Sequence, residues 1–196
     1  MRPLLYHSIE HMFQKGVKSM RYTTSHLEDS IERLYQAMEI EDPDYSIFDV
    51  AERLSITISY FKLPFAVPGH IALSPALKEE KQKEVFAHEL NHVLFHVGLQ
   101  IYMPEDFRIM QEYKACSFAM HFAIPTFMLR RLILPDDRYK AITMISETFG
   151  VTPSFANKRL IRYENQIAGA MLHEKLLKCS ESKPVYEYEP LIRILR

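Results

Sequence analysis

This sequence of 196 residues has few cysteines, no large excess of positive or negative charge, and no long apolar run. The two cysteines, Cys116 and Cys179, lie far apart, which excludes a disulfide framework and a cysteine-based zinc site and suits a reducing compartment. The formal net charge of −1 lacks the basic excess typical of chains that bind nucleic acid or anionic membranes. No stretch approaches the ~18 apolar residues of a membrane span, and the N-terminus does not resemble a signal peptide. We therefore expect a cytoplasmic protein that does not contact a membrane.

The apolar periodicity predicts an α+β fold, mostly helical, with a small β-sheet. The stretch "TTSHLEDSIERLYQAM" is typical of a helix, because Ser25 and Glu28 have the spacing of a capping box. A second, short helix is predicted over "SIFDVAERL". Further helices are predicted over four later stretches, the first of them ended by Pro125: "DFRIMQEYKACSFAMHFAI", "TFMLRRLIL", "DRYKAITMISETF" and "PSFANKRLIRYENQIAGAMLHEKLL".

Two strands are predicted before the central helix. "SITISYF" alternates strictly, which predicts a half-buried strand with Ile56, Ile58 and Tyr60 facing inward. We interpret "KLPFAVPG" as a turn and "HIALS" as the partner strand. Ser74 followed by Pro75 predicts the start of the next helix, which would continue through "VFAHELNHVLFHVG" and end at Gly98.

That central helix carries the pattern H-E-x-x-H at His88, Glu89 and His92. Residues four apart lie one turn above each other on one helix face, so the two imidazoles could bind one zinc ion. Glu89 is turned by about 100° from His88, where it could take a proton from a metal-bound water. An unpaired glutamate would be costly in so apolar a helix, which favours zinc chemistry over a chance match.

The third histidine, His96, continues the same face, but it lies two turns from His88, about 12 Å along the axis. A straight helix cannot bring both to one ion, so we predict a structural role for His96. A catalytic zinc ion needs a third protein ligand and an open position for water. Glu112 on the following helix is the best candidate, since Cys116, Ala119 and Ala123 would allow close packing. The alternatives are Glu105, Asp106 and His121.

Several of these segments together resemble the ImmA/IrrE family of metallopeptidases. The resemblance rests on "HIALSPALKEEKQKEVFAHELNHVLFH", "EYKACSFAMHFAIP" and "ISETFGVTPSFANKRL", and more weakly on "DVAERLSITISYF". Their order and spacing carry it, over about residues 22 to 165. It implies a zinc-dependent endopeptidase that cleaves a helix-turn-helix repressor, in phage, mobile-element or stress regulation. It also implies that His88, His92 and Glu112 are the zinc ligands and that Glu89 is the general base.

Two positions depart from the family pattern. Asn91 stands where glycine is usual, and Cys116 stands where asparagine or aspartate is frequent. A polar group at the second position could orient a ligand histidine, so its replacement puts zinc affinity in question. We divide the chain into an N-terminal extension (1–21), a peptidase domain including a C-terminal helical part (22–165), and a helix end with a tail (166–196).

The resemblance also suggests where a peptide would bind. We expect the substrate to add as a strand along "HIALS", because pairing with a sheet edge holds a peptide extended beside the metal. Two other interpretations stay open. "ISETFGVTPSFANKRLIRY" resembles a DNA-binding helix-turn-helix with Gly150 at the turn and Lys158, Arg159 and Arg162 on its second helix. Direct nucleic-acid binding is disfavoured by the near-neutral charge. The chain could also be a catalytically quiet domain that binds a partner.

Overall fold

A computed structural model describes residues 22–95 and 103–181, with side chains up to residue 177. The extension 1–21, His96, the predicted helix end at Gly98 and the tail after residue 181 lie outside the described residues. Within the described ranges the chain forms seven helices and three strands. They are α1 (His26–Ala37), α2 (Ile47–Arg53), β1 (Thr57–Tyr60), β2 (Phe65–Val67), β3 (His70–Leu73), α3 (Glu79–Phe95), α4 (Glu105–Ala123), α5 (Thr126–Leu129), α6 (Arg138–Phe149) and α7 (Pro153–Glu181).

The prediction of an α+β, mostly helical fold with a small sheet is confirmed. The capping box of α1 is formed as its spacing predicts. Ser25 Oγ accepts the Glu28 N–H at 3.3 Å, and the Glu28 carboxylate accepts the Ser25 N–H at 2.7 Å. α2 starts with the same device, built from Ser46 and Asp49. These caps pair backbone N–H groups that would otherwise be unsatisfied at the helix starts.

The three strands form one mixed sheet in the order β1-β3-β2. β3 lies in the middle, parallel to β1 through the pair Thr57 and His70, and antiparallel to β2 through the pair Phe65 and Ala72. Both edges of β3 are therefore occupied by the chain itself. The prediction that a substrate pairs with "HIALS" is wrong, since that strand has no edge left for it.

Three local expectations about the sheet and the next helix are also wrong. The predicted turn "KLPFAVPG" contains β2 (Phe65–Val67). This strand has three residues and a proline on each side, so its sequence is typical of a turn. Tyr60 ends β1 and is 51% exposed, so it does not face inward. α3 begins at Glu79 and not directly after Ser74. The intervening residues form a turn whose carbonyls, including that of Ser74, accept hydrogen bonds from the Gln82 side chain.

The core lies where α3 packs between the sheet and α4. α3 contacts β2 and β3, and its packing against α4 is the most extensive between any two described elements. Apolar residues from these elements and from α1, α6 and α7 form one continuous cluster. Its fully buried members include Ile31, Tyr35, Ile71, Leu73, Phe86, Leu90, Phe118, Phe122, Ile145, Phe149 and Leu160. Among the described helices, none has the length and apolarity needed to cross a bilayer.

Arg159 fixes α7 to the rest of the fold. Its side chain is completely buried, and it donates to the Ile124 carbonyl at 3.2 Å and to Thr126 Oγ1 at 2.6 Å. Glu28 of α1 lies 3.9 Å from the Arg159 guanidinium and accepts the Thr126 hydroxyl. Burial lowers the pKa of Arg159 to about 10, which leaves it charged at neutral pH. A buried charge needs such partners, and removing one of them leaves the other uncompensated.

The connection between α6 and α7 is also anchored to the core. Gly150 adopts the left-handed conformation, with φ of 58°, and ends α6 as the helix-turn-helix resemblance predicted. Thr152 follows at the start of α7. Its backbone N–H and its hydroxyl both donate to Glu84 of α3, at 2.8 and 2.6 Å. The turn is therefore held against the helix that carries the H-E-x-x-H pattern.

His121 gives the fold a specific sensitivity to acid. Its Nδ1–H donates to the Ser117 carbonyl at 2.8 Å, so Nε2 is the unprotonated nitrogen, and no described group pairs with it. Burial, and then the charge of Arg159, lowers the pKa of His121 to about 4. Because the unfolded chain takes up this proton near pH 6.5, His121 favours the folded state above that pH. The contribution is lost as pH falls from about 6.5 towards 4.

We therefore expect the free energy of unfolding of the metal-free protein to fall by about 2 kcal/mol between pH 7 and 4.5 through His121 alone. In His121→Asn the amide can still donate to Ser117, but it does not titrate, so the decrease should be smaller by that amount. Urea unfolding at the two pH values, with a chelator present, measures the difference. An equal decrease in both proteins would contradict this assignment.

Candidate metal centre

Three side chains that the sequence marked as metal ligands meet between α3 and α4. His88 and His92 lie one turn apart on α3, and Glu112 reaches them from α4. The close approach of the two helices suits the small residues on α4, where Ala115, Ala119 and Ala123 recur at every fourth position and are buried. Cys116, which we also expected in this helix contact, lies at its exposed border.

The donor atoms of the cluster are spaced as a bound metal ion requires. His88 Nε2 and His92 Nε2 are 3.2 Å apart, His88 Nε2 lies 3.2 Å from Glu112 Oε2, and His92 Nε2 lies 3.4 Å from Glu112 Oε1. A tetrahedron whose corners lie ~2.0–2.1 Å from its centre has edges of ~3.3–3.4 Å. The two imidazole nitrogens, and each of them with the carboxylate oxygen nearest it, are thus about one edge of a tetrahedral zinc site apart.

The lone pairs and the charge of the cluster also favour a bound cation. Two imidazole nitrogens this close would direct lone pairs at each other unless a proton or a metal ion lies between them. The negative charge of Glu112 favours such a cation. The side chain of Glu112 is 45% exposed, against 24% for His88 and 12% for His92, so the cluster opens to solvent at the carboxylate. A fourth ligand could enter from that side.

Glu89 is next to His88 on α3 and is only partly exposed. Burial raises the pKa of Glu89 to about 7, and the charge of Glu112 adds to the effect. Its carboxyl group therefore exchanges protons near neutral pH, as a general base or acid must. A cation held by the cluster would lower this pKa, since an opposite charge favours the carboxylate.

The other residues considered as third ligands do not join the cluster. Glu105 and Asp106 lie exposed in the first turn of α4, and within the described residues only His88, His92 and Glu112 converge on one point. His121 is buried on another side of α4, next to Arg159.

The two departures from the family pattern have different surroundings. Asn91 is buried, its Oδ1 has no hydrogen-bond partner in the described part of the chain, and it lines a groove with Phe95, Tyr113 and Phe118. Cys116 Sγ lies 3.8 Å from Nδ1 of His88, the ring nitrogen that faces away from the cluster. Burial, and then the charge of Glu112, raises the pKa of this thiol. From the sequence, a polar group at position 116 could orient a ligand histidine, but the sequence does not indicate which histidine Cys116 contacts.

The family model of the IrrE N-terminal-like domain matches residues 39–161, which include the whole cluster. The chain belongs to the ImmA/IrrE family. It is 34% identical over 171 residues to the phage-like element PBSX protein XkdA of Bacillus subtilis (strain 168), covering 84% of this chain and 86% of that protein. It is 38% identical over 154 residues to the uncharacterized protein YqaB of the same organism, covering 76% and 90%.

A solved structure supports the fold of this ImmA/IrrE member. A Mycobacterium tuberculosis transcriptional regulator matches with a TM-score of 0.50 and 15% sequence identity, over 79% of this chain. The chain spans half the length of that protein, so the similarity concerns the fold alone. The family comprises metallopeptidases, which agrees with a cluster of two histidines and one glutamate on adjacent helices.

Proposed function

We propose that this chain is a cytoplasmic, zinc-dependent endopeptidase that cleaves a helix-turn-helix repressor and so relieves transcriptional repression. The observation that carries the proposal is the spacing of the donor atoms of His88, His92 and Glu112, which matches the edges of a tetrahedral zinc site. An ordinary surface ion pair would require neither two converging imidazoles nor Glu89, the partly buried glutamate next to His88.

In this proposal each residue has a distinct role. His88, His92 and Glu112 would hold zinc, which when bound would supply Lewis-acid chemistry to the scissile carbonyl and to water. Glu89 would act as the general base towards the attacking water and then as the general acid towards the leaving amine. Burial raises the pKa of Glu89, and a bound cation would lower it, so the two effects oppose each other at the group that takes up and releases the proton. The exposed side of Glu112 leaves room for water and for a peptide.

The choice of a repressor as substrate rests on the family resemblance. Of the relatives, one is named for a phage-like element and the solved neighbour is named a transcriptional regulator. We transfer this regulatory context to the present chain as part of the proposal. We also propose residues 22–165 as the peptidase domain, a range that encloses the family match at 39–161. α7 continues beyond residue 165 without a break, to Glu181.

The helix-turn-helix interpretation of the C-terminal helices is weakened by Arg159. A phosphate-binding arginine must be accessible, whereas Arg159 is fully buried and bound to Ile124 and Thr126. Its assignment to a DNA-contacting face is therefore wrong. The turn before α7 is held by Glu84, which gives these helices a structural role in closing the peptidase core.

We expect one zinc ion per chain and a large loss of zinc affinity in Glu112→Ala, because two imidazoles alone leave the site a ligand short. Glu105→Ala is the matched control, since this glutamate starts the same helix but lies outside the cluster. Metal analysis and competition with a chromogenic chelator give stoichiometry and affinity. Full occupancy and unchanged affinity in Glu112→Ala would place the third ligand elsewhere.

Glu89→Gln should keep its zinc and its fold but cleave a repressor about 10²- to 10⁴-fold more slowly, because an amide cannot accept the proton of water. The test is co-expression with the helix-turn-helix proteins encoded beside the gene, followed by intact mass measurement of fragments. Glu105→Gln serves as the control for a neutralised glutamate.

Cleavage by Glu89→Gln at the rate of the unsubstituted protein would refute the role of Glu89. If the protein carries zinc and cleaves none of the co-expressed proteins, the choice of substrate is wrong. If Glu89→Gln relieves repression as well as the unsubstituted chain does, the alternative of a catalytically quiet, partner-binding domain is the better account.

A further inference from the structure

The contact between Cys116 and His88 lies at the back of the metal cluster. His88 points Nε2 towards His92 and Glu112, at 3.2 Å from each, and its other ring nitrogen, Nδ1, faces Cys116 Sγ at 3.8 Å. Cys116 lies one helical turn after Glu112 on α4. One helix therefore supplies both a group that faces the metal position and a group that supports the histidine opposite it.

The chemistry of imidazole determines what this contact can do. A histidine that binds a metal through Nε2 carries its proton on Nδ1 and donates it to a neighbouring acceptor. The Cys116 sulfur is the acceptor that the structure offers to Nδ1 of His88. Such a partner fixes the orientation of the ring and makes the ligand more basic. Sulfur is a weaker acceptor than a carboxylate oxygen, so the support is weaker than an aspartate would give.

We propose that Cys116 is a positioning residue, whose sulfur accepts the Nδ1–H of His88 and thereby raises the affinity of the cluster for zinc. The inference rests on the proposed function insofar as it assumes the zinc site. Cys116 is not itself a ligand in this proposal, because its sulfur lies on the side of the His88 ring that is remote from His92 and Glu112. The thiol acts on the metal only through the histidine.

The test compares Cys116→Ala and Cys116→Asp with the unsubstituted protein. We expect Cys116→Ala to bind zinc about 10-fold more weakly, and Cys116→Asp to bind it at least as tightly as the unsubstituted chain does. Competition with a chromogenic chelator measures both affinities. Cys179→Ala is the matched control, since it removes the other cysteine of the sequence and should leave affinity unchanged. Thermal unfolding of the metal-free variants checks that the exposed position tolerates the changes.

A second measurement separates orientation of the ring from a general effect on folding. In the zinc-loaded protein with ¹⁵N-labelled histidine, the Nδ1–H proton of His88 should exchange slowly enough with water to be observed by NMR. In Cys116→Ala it should exchange faster and broaden, and in Cys116→Asp it should return and shift to lower field. A purely structural role for Cys116 would leave this proton resonance unchanged.

Equal zinc affinity and an unchanged His88 Nδ1–H signal in Cys116→Ala would overturn the inference and leave the proposed peptidase activity untouched. The opposite result would also distinguish this inference from the proposed function. Zinc binding that weakens in Cys116→Ala, in a protein that cleaves no repressor, would support the inference and refute the proposed substrate.

Discussion

The metal cluster exists because α3 packs closely against α4. A donor set with edges of 3.2 to 3.4 Å can be assembled from two helices only if their backbones approach closely and in one register. Ala115, Ala119 and Ala123 of α4 are small and buried, which suits that approach.

The remaining elements hold this helix pair in place. The sheet covers one side of α3, and Glu84 ties α3 to the start of α7 through Thr152. Arg159 joins α7 to the segment that follows α4, through the carbonyl of Ile124 and the hydroxyl of Thr126. Through these contacts the C-terminal helices stabilise the positions of α3 and of the segment that follows α4. The basic residues of these helices are not equivalent, because Arg159, in the helix-turn-helix pattern, is buried in the core.

Much of this arrangement could be predicted from local rules. Capping boxes identify the starts of α1 and α2, because a cap involves only neighbouring residues. The four-residue spacing of His88 and His92 identifies a helix face, and the family resemblance adds Glu112 from the next helix. β2 could not be found, since a strand of three residues between Pro64 and Pro68 has no periodicity to detect. The start of α3 was misplaced because Ser74 and Pro75 suit a turn as well as a cap.

The features that the sequence does not predict depend on contacts between elements that are distant along the chain. The central position of β3 depends on a crossover from β1 past β3 to β2, which no local pattern encodes. The burial of Arg159 depends on Glu28, more than a hundred residues away along the chain. The contact between Cys116 and His88 likewise joins two helices. In each case the deciding contact is made with another element of the fold.

Anomalous diffraction at the zinc edge, from crystals of the protein, can show whether His88, His92 and Glu112 hold one zinc ion. We expect one strong anomalous peak per chain, ~2.0–2.1 Å from both Nε2 atoms and from a carboxylate oxygen of Glu112. A peak bound at other residues, or a fully ordered cluster without any peak in crystals grown with zinc, would contradict this expectation.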